Sequence, residues 1–299
     1  MIQFGSKIVI VNDTLTGSMG EKVLWNFLLE GIPGVAGVDK HVTSNYTEYI
    51  TKHYSNAKII IQNATYLGLI DKNKYTIAFL QDNLRAMGRP SPLQEEVLKS
   101  SQLIVSNSKL TAKSYPEYPI KIIPIGVDDK LFFPKKVTDK KRPVGIFIGA
   151  LDEVKGWTEV RTIIEKRNDI NWIIVSKDSK KYNRKNVSMY NRIDQKLLAK
   201  LINSSCFFIV GSPVETECLS AVESCMCNVP IVMHNTGIFA DFTKEDKEKV
   251  GYIGLDLYSG INKVLHGEYK PRRIVLQHEL NIKGMITKWK ALLHGREVL

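Results

Sequence analysis

The chain has 299 residues, of which 43% are hydrophobic and 24% are charged. This composition is typical of a globular protein with a buried core, so a folded chain is expected rather than a disordered one. No apolar run approaches the ~20 residues that a membrane-spanning helix needs. The first run, Ile8–Val11, is too short for the core of a signal peptide. We therefore expect a cytoplasmic protein, either free or peripheral to the inner face of a membrane.

The charge is basic, with 42 Lys and Arg residues against 31 Asp and Glu residues, a formal net charge of +11. Excess charge indicates partners rather than fold. Much of it is clustered in three segments, 135–142, 177–185 and 270–273. These segments are either solvated loops or surfaces for an anionic membrane or a polyanionic substrate. Charge alone also keeps a nucleic-acid-binding protein among the alternatives, although the sequence shows no helix-turn-helix, zinc finger or aromatic RNA motif.

The four cysteines lie close together in the sequence, but not in the pattern of a zinc site. Such sites usually show two Cys-x-x-Cys pairs or a Cys/His set. Here the only close pair is Cys225 and Cys227, while Cys206 lies in an apolar stretch and Cys218 stands apart. We therefore expect buried, reduced thiols and no metal site.

Short apolar runs alternate with amphipathic helical stretches along the whole chain. The first series predicts strands at 8–11, 58–62, 76–80, 103–106 and 121–124, with helices at 21–29 and 93–98. The second predicts strands at 144–148, 172–175, 207–210 and 231–233, with helices at 159–165, 195–202 and 219–227. This alternation predicts an α/β protein of two doubly wound, Rossmann-like domains facing across a cleft. Ligands of such sheets bind beyond the carboxyl ends of the strands.

The break between the two series holds two prolines and five basic residues between Pro134 and Pro143, which is typical of a linker. We therefore predict domains at 1–134 and 144–275, a linker at 135–143, and a helical segment at 276–299 that packs back on the first domain.

Two glutamates follow the strand at 207–210. Glu215 lies in the loop after the strand, and Glu223 lies eight positions on, about one turn inside the next helix. The N–H groups and partial positive charge at that helix N-terminus suit a diphosphate. Together with Pro230 and the strand at 231–233, the pattern resembles the signature of glycosyltransferase family 4, retaining enzymes of the GT-B fold.

The resemblance implies a role for each glutamate. Glu215 would contact the donor sugar and stabilise the positive charge that develops at its anomeric carbon, and Glu223 would hydrogen-bond the ribose hydroxyls. Cys218 and Leu219, at the start of the helix, are predicted donor-binding residues. The family usually has Gly or small residues around a Phe where this chain reads Thr216-Glu217-Cys218.

A second segment, from Gly149 to Gly156, follows the strand at 144–148. Lys155 lies near the start of the next helix, where its ammonium group can pair with phosphate oxygens. The segment resembles the family's Gly-Arg-Leu and Lys-Gly, whose two cations bind the donor diphosphate without a metal. Ala150 replaces the Arg, so Lys155 acts alone or a nearby Arg replaces the lost cation.

Further segments follow in the order of the same family. Pro124-Ile125-Gly126-Val127-Asp128 resembles the exit from the first domain, where Gly126 would bring the backbone close to the donor and Asp128 would cap the turn. Ser106-Asn107-Ser108 matches a family segment after a strand. Arg192, ahead of the helix at 195–202, is a predicted neighbour of the nucleotide.

The first domain would carry the acceptor side. Gly17 lies in a glycine-containing loop that in GT-B enzymes approaches the donor phosphates and the acceptor. Asp82, after the strand at 76–80, either orients or deprotonates the acceptor hydroxyl or simply caps a turn. Arg85 and Arg89 follow it and would attract an anionic acceptor.

These residues lead to one predicted function. The chain is expected to be a retaining, metal-independent hexosyltransferase that uses a UDP- or GDP-linked sugar and no other cofactor. Residues 144–275 would bind the donor. The acceptor is expected to be anionic, as a membrane lipid, a glycan or a nucleic acid. The alternatives are the same chemistry on a modified base in nucleic acid, a GT-B nucleotide-sugar epimerase, and a non-enzymatic nucleic-acid-binding protein.

Overall fold

The structure, a computed structural model, describes residues 8–12, 28–39, 41–64, 67–135, 142–178, 182–191 and 193–294. The chain forms two compact units. The first comprises Met1–Gly126 with Ile282–Leu299, and the second comprises Val127–Asn281. Each unit is built on a six-stranded parallel sheet with helices packed against it, which confirms the predicted α/β class.

The sheet of the first unit has the strand order β2-β1-β3-β4-β5-β6. Most of its strand residues are buried, as expected of a parallel sheet that helices cover. The strands and helices of this unit as far as Gly126 are β1 Ile8–Val11, β2 Val35–Val38, α1 Tyr46–His53, β3 Ile59–Asn63, β4 Tyr75–Leu80, α2 Pro92–Ser100, β5 Leu103–Ser106, α3 Lys109–Ala112 and β6 Ile120–Ile122.

The sheet of the second unit has the strand order β12-β11-β10-β7-β8-β9. Its elements are β7 Val144–Ile148, α4 Trp157–Lys166, β8 Asn171–Val175, β9 Val187–Tyr190, α5 Gln195–Asn203, β10 Phe207–Val210, α6 Leu219–Met226, β11 Ile231–Met233, α7 Lys244–Val250, β12 Gly251–Ile253, α8 Leu257–His266 and α9 Pro271–Gln277.

Two hydrophobic clusters lie on the opposite faces of this second sheet. Residues of α5, α6 and α9 form one cluster with side chains such as Phe208 and Met233. Residues of α4 and α8 form the other with side chains such as Trp172 and Phe207. Because alternate strand residues point to opposite faces, the sheet is doubly wound as predicted.

The last helix, α10 (Ile282–His294), belongs to the first unit. Its Trp289 is fully buried, with its ring centre 5.8 Å from that of Phe79 on β4. The chain passes between units at Gly126–Val127 and again at Asn281–Ile282, where the Val127 N–H donates to the carbonyl of Leu280 at 3.0 Å. The units thus divide earlier than the sequence placed the linker, because Val127 and Phe132 belong to the second core.

The predicted elements can be compared with those observed. The strands at 8–11, 103–106, 144–148, 207–210 and 231–233 have the predicted bounds, and the other predicted strands are displaced by one or two residues at an end. The helix predicted at 21–29 lies largely outside the described residues, and residues 28–31 are helical. Over the described ranges, no helix is long and apolar enough to cross a membrane.

Candidate active site

The centre of the site is an ion pair between two loops of the second unit. Lys155 ends a short 3₁₀ turn, Glu153–Lys155, that follows β7, and Glu215 lies in the loop that follows β10. Since β7 and β10 are paired neighbours, their carboxyl ends meet at one edge of the sheet. There the Lys155 Nζ lies 2.8 Å from the Glu215 Oε1, with side-chain exposures of 38% and 13%.

The electrostatics keep this lysine charged. Burial lowers the pKa of Lys155, but the carboxylate of Glu215 outweighs burial, so the pKa ends above its ordinary value. The ammonium therefore stays available to an anion at neutral pH. In the described structure that anion is the Glu215 carboxylate.

The backbone beneath the ion pair is closely packed. Gly156 has φ +63, and a Cβ built on it would lie 1.9 Å from the carbonyl oxygen of Gly211. Only a glycine fits such an approach in a left-handed conformation. This contact brings the loop after β7 against the loop after β10, and so brings Lys155 to Glu215.

A third loop holds Glu215 by its backbone. The Thr236 Oγ1 accepts a hydrogen bond from the Glu215 N–H at 2.8 Å. The Gly237 N–H donates to the Glu215 carbonyl at 3.2 Å, and the Ile238 N–H donates to the Glu217 carbonyl at 3.1 Å. The loop after β11 therefore fixes the loop that carries Glu215.

The helix α6 begins without a side-chain cap. Its N-cap, Cys218, has φ +67, and its side chain accepts no capping hydrogen bond. A non-glycine residue in the left-handed region is uncommon and strained, and such strain clusters at functional sites. Because the first N–H groups of a helix lack intrahelical partners, this start offers donors to an anion beside Lys155.

Glu223 lies in the second turn of α6 and is half-buried. Burial raises the pKa of its carboxyl group to about 8. A carboxyl group shifted in this way is a candidate for a functional site. Cys218 and Leu219, which open the same helix, lie between the two glutamates in the sequence.

Polar side chains gather at the carboxyl edge of the first unit's sheet. Asp82 follows β4 and is half-buried. Beside it, the buried Asn63 donates to the Gln81 Oε1 at 2.9 Å, and the buried Asn107 donates to the Gln81 carbonyl at 3.4 Å. Asp82 thus follows its strand as predicted and lies at the carboxyl edge of the sheet, next to hydrogen-bonded amide side chains.

Arg85 is held inside the first unit. Its Nε donates to the Glu95 Oε1 at 2.9 Å and its second terminal nitrogen to the Glu117 Oε1 at 2.5 Å, while its guanidinium carbon lies 4.4 Å from the centre of the Tyr115 ring. The expectation that Arg85 attracts an anionic acceptor is therefore corrected, because two carboxylates compensate its charge. Arg89 is exposed.

The other predicted residues have mixed outcomes. Asp128 caps its turn as expected, since its Oδ1 accepts from the N–H groups of Lys130 at 2.9 Å and Leu131 at 3.3 Å. The Gly126 N–H donates to the Met285 Sδ at 3.2 Å within the first unit. Gly17 and Arg192 lie outside the described residues.

The cysteines are all free, and three of them, Cys218, Cys225 and Cys227, are buried as predicted. Cys206 was predicted to be buried but is exposed. It lies just before the first residue of β10 rather than within the strand. The described part of the chain contains no group of three or more His, Cys, Asp or Glu side chains that could hold a metal ion.

Comparison with known proteins relates part of the chain to a family. Residues 128–275, just under half of the chain, match the family model of glycosyl transferases group 1. Lys155, Glu215 and Glu223 all lie within the glycosyltransferase segment. No curated protein matches the chain by sequence.

Solved structures share the fold of the whole chain. The Anabaena protein HepE, solved with UDP and glucose, is 12% identical with a TM-score of 0.78, over 97% of this chain and 99% of that one. Sucrose-phosphate synthase from Thermosynechococcus elongatus is 13% identical with a TM-score of 0.75, over 96% and 98%. A glycosyltransferase from Rickettsia africae is 12% identical with a TM-score of 0.70, over 95% and 97%. The fold is therefore the GT-B fold of glycosyltransferases.

Sequence reasoning missed the loop after β11. Thr236 and Gly237 hold the backbone of Glu215, and no motif had singled them out. The available signal was the Thr-Gly pair shortly after an apolar strand, which is typical of a tight turn at a sheet edge. It also missed the close approach of Gly156 and Gly211, which depends on the packing of distant segments.

Proposed function

We propose that the chain is a retaining glycosyltransferase that moves a hexose from a nucleoside-diphosphate sugar, linked to UDP or GDP, to an acceptor hydroxyl. The observation that carries this proposal is the contact of Lys155 with Glu215 at the head of α6. It combines a cation for phosphate, a carboxylate for the sugar and an uncapped helix start within the segment that matches the family.

Donor binding would change the partner of Lys155. The diphosphate lies at the N-terminus of α6, near Cys218 and Leu219, and its charge competes with the Glu215 carboxylate for the ammonium group. Glu215 then faces the donor sugar from a loop that Thr236 holds in place. Glu223 hydrogen-bonds the ribose hydroxyls, while Gly17, Gly126 and Arg192 keep their predicted donor-side roles.

The chemistry follows from these positions. The bond from the anomeric carbon to the diphosphate oxygen breaks, and a bond from the acceptor oxygen forms on the same face of the sugar. The acceptor proton passes to the leaving diphosphate. Lys155 and the α6 N–H groups stabilise the charge that develops on the diphosphate, without a metal, and this stabilisation is the main catalytic term.

The first unit supplies the acceptor side. Asp82 orients the acceptor hydroxyl from the carboxyl edge of that unit's sheet, and the proton of that hydroxyl passes to the leaving diphosphate. The excess of positive charge supports an anionic acceptor, and a place in the cytoplasm or at the inner face of a membrane suits such an acceptor.

The experiment is a panel of UDP-, GDP- and ADP-sugars, scored for thermal stabilisation of the protein and for slow donor hydrolysis, with and without EDTA. We expect one nucleotide class to stabilise the protein and to be hydrolysed equally in both conditions. If no nucleotide sugar binds, the proposal fails. If EDTA abolishes hydrolysis and Mn²⁺ restores it, the metal-independent form of the proposal fails.

A further inference from the structure

His234 lies directly after β11, on the loop that holds Glu215, and both of its ring nitrogens have partners. The Nε2 lies 2.8 Å from the Glu159 Oε2, in the first turn of α4. The Nδ1 lies 3.2 Å from the carbonyl oxygen of Gly254, which follows β12. The imidazole therefore joins three parts of the unit, the loop after β11, the helix α4 and the end of β12.

Both partners of His234 are hydrogen-bond acceptors. A carbonyl oxygen accepts only, and an ionised carboxylate accepts only. Each ring nitrogen therefore faces an oxygen that can accept a hydrogen bond from the ring. The side chains of Glu153, Asp256 and Lys166 line the same groove as His234.

From His234 the contacts lead to Glu215 in two steps. The Thr236 N–H donates to the His234 carbonyl at 2.9 Å, which forms the turn, and the Thr236 Oγ1 then accepts from the Glu215 N–H at 2.8 Å. A second connection runs through α4, because Lys155, which contacts the Glu215 carboxylate, comes just before that helix. The imidazole ring thus links the two segments that place Lys155 and Glu215.

We propose that His234 is a positioning residue for glycosyl transfer, which fixes the Glu215 loop through the contacts of its ring with Glu159 and with the Gly254 carbonyl. This inference rests on the proposed function of Glu215. It makes His234 act through Thr236 and not on the substrate.

The test uses four single variants of the whole chain. His234→Ala removes both ring contacts. His234→Gln places an amide nitrogen near the position of Nε2 and keeps the contact with Glu159. Glu159→Ala removes the acceptor. His266→Ala is the matched control, because His266 is exposed and its Nδ1 lies 2.7 Å from the carbonyl oxygen of Asn262 in its own helix.

The first readout is amide hydrogen exchange at Glu215, which needs no substrate. We expect His234→Ala and Glu159→Ala to speed this exchange, His234→Gln to restore it to near the wild-type rate, and His266→Ala to leave it unchanged. Unchanged exchange in His234→Ala would overturn the proposal whether or not the chain turns over a nucleotide sugar.

The second readout separates binding from turnover of the donor found in the panel. We expect His234→Ala to lower kcat about tenfold, as for a lost hydrogen bond to a carboxylate, while the Kd of the nucleoside diphosphate changes less than about twofold. The double variant His234→Ala/Glu159→Ala should lose no more than either single one. Equal losses of kcat, affinity and melting temperature, without rescue by Gln, would show a purely structural histidine. Failure of the wild type to bind any donor would instead count against the proposed function alone.

Discussion

At the scale of single residues, the contact between Lys155 and Glu215 brings together the cation proposed to bind the donor diphosphate and the carboxylate proposed to face the donor sugar. Before the donor binds, the carboxylate occupies the ammonium that the diphosphate would use. Removing the carboxylate's charge therefore frees Lys155 for phosphate while it removes the group that faces the sugar.

Glu215→Gln should separate these two effects. We expect kcat for donor turnover to fall about 100-fold or more, the loss typical when a group that stabilises transition-state charge is removed. The affinity for the nucleoside diphosphate should stay the same or increase, because the competing charge is gone. Glu165→Gln is the matched control, since its partner is Arg161 on the exposed face of α4. Unchanged turnover at a saturating donor concentration would rule out the role of Glu215.

The raised pKa of Glu223 predicts that the stability of the protein depends on pH. Burial raises the pKa of this carboxyl group from its ordinary value of 4.5 to about 8. Between these values the unfolded chain releases the proton and the folded protein keeps it, so the free energy of unfolding falls as pH rises from 4.5 to 8.

Glu223→Gln removes that dependence, because the amide does not ionise. The variant should therefore become more stable relative to the wild type as pH rises from 4.5 to 8. Above and below that range, the difference in the free energy of unfolding between the two proteins should be constant. Denaturant unfolding of both proteins from pH 4 to pH 9 measures it. Two parallel stability curves would show that the carboxyl group of Glu223 is not perturbed by burial.

At the scale of elements, the site depends on how closely the loop after β7 meets the loop after β10. Gly156→Ala forces a Cβ into a left-handed residue and against the Gly211 carbonyl oxygen, 1.9 Å away. We expect a loss of about 2–5 kcal/mol in the free energy of unfolding, from conformational strain together with overpacking.

Gly88→Ala is the control for the conformational part of that loss. Gly88 also has a positive φ, of +67, but a Cβ there would meet nothing within 4 Å. It should cost only about 1–2 kcal/mol, the penalty of the left-handed conformation. Equal losses in the two variants, measured by chemical unfolding, would mean that the loops after β7 and β10 can separate without lowering the free energy of unfolding.

The sequence predicted the strands that are continuous apolar runs. Such a run is the pattern of a strand buried on both faces, so β5, β7, β10 and β11 have the predicted bounds. β2, β9 and β12 were missed. β2 is interrupted by Gly37, β9 is short and carries Ser188, and β12 has three residues and begins with Gly251. Short edge strands of this kind depend on pairing with a neighbour and leave little local signal.

The candidate site was predictable only in part. Motif spacing indicated Lys155 and Glu215 because each lies just after a strand at the same edge of a sheet, and it indicated Glu223 because it lies in the helix that follows Glu215. Their mutual contact could not be predicted, since Lys155 and Glu215 are 60 positions apart and the pairing of β7 with β10 brings them together. The ion pair of Arg85 with Glu117 could not be predicted either, because Glu117 comes from a distant segment of the first unit.

At the scale of the whole molecule, part of the positive charge serves the fold. Arg272, in the third basic segment, donates to the Phe132 carbonyl at 2.9 Å and also to the Met226 carbonyl. Arg184, in the second, donates to the Asn168 Oδ1 at 3.0 Å. The hydrogen bonds of these guanidinium groups stabilise the second unit, and the net charge of +11 creates a positive field around the protein.

That field predicts binding to anionic surfaces at low salt. We expect the chain to bind vesicles that contain phosphatidylserine, or duplex DNA, with an affinity that falls steeply as salt rises. Arg89→Ala should weaken this binding slightly, whereas Arg85→Ala should mainly reduce stability, because Arg85 pairs with Glu95 and Glu117. If neither surface binds at low salt, a small neutral acceptor is favoured.

The central claim is that Lys155, at the head of α6, binds the diphosphate of a nucleotide sugar. Calorimetric titration of the wild type and of Lys155→Ala with UDP or GDP, and with the matching nucleoside, tests it most directly. We expect the variant to lose about 1.5–3 kcal/mol of binding free energy for the diphosphate and almost none for the nucleoside, since a charged hydrogen bond is lost only with phosphate. Equal losses for both ligands, or no binding of either diphosphate by the wild type, would contradict the account.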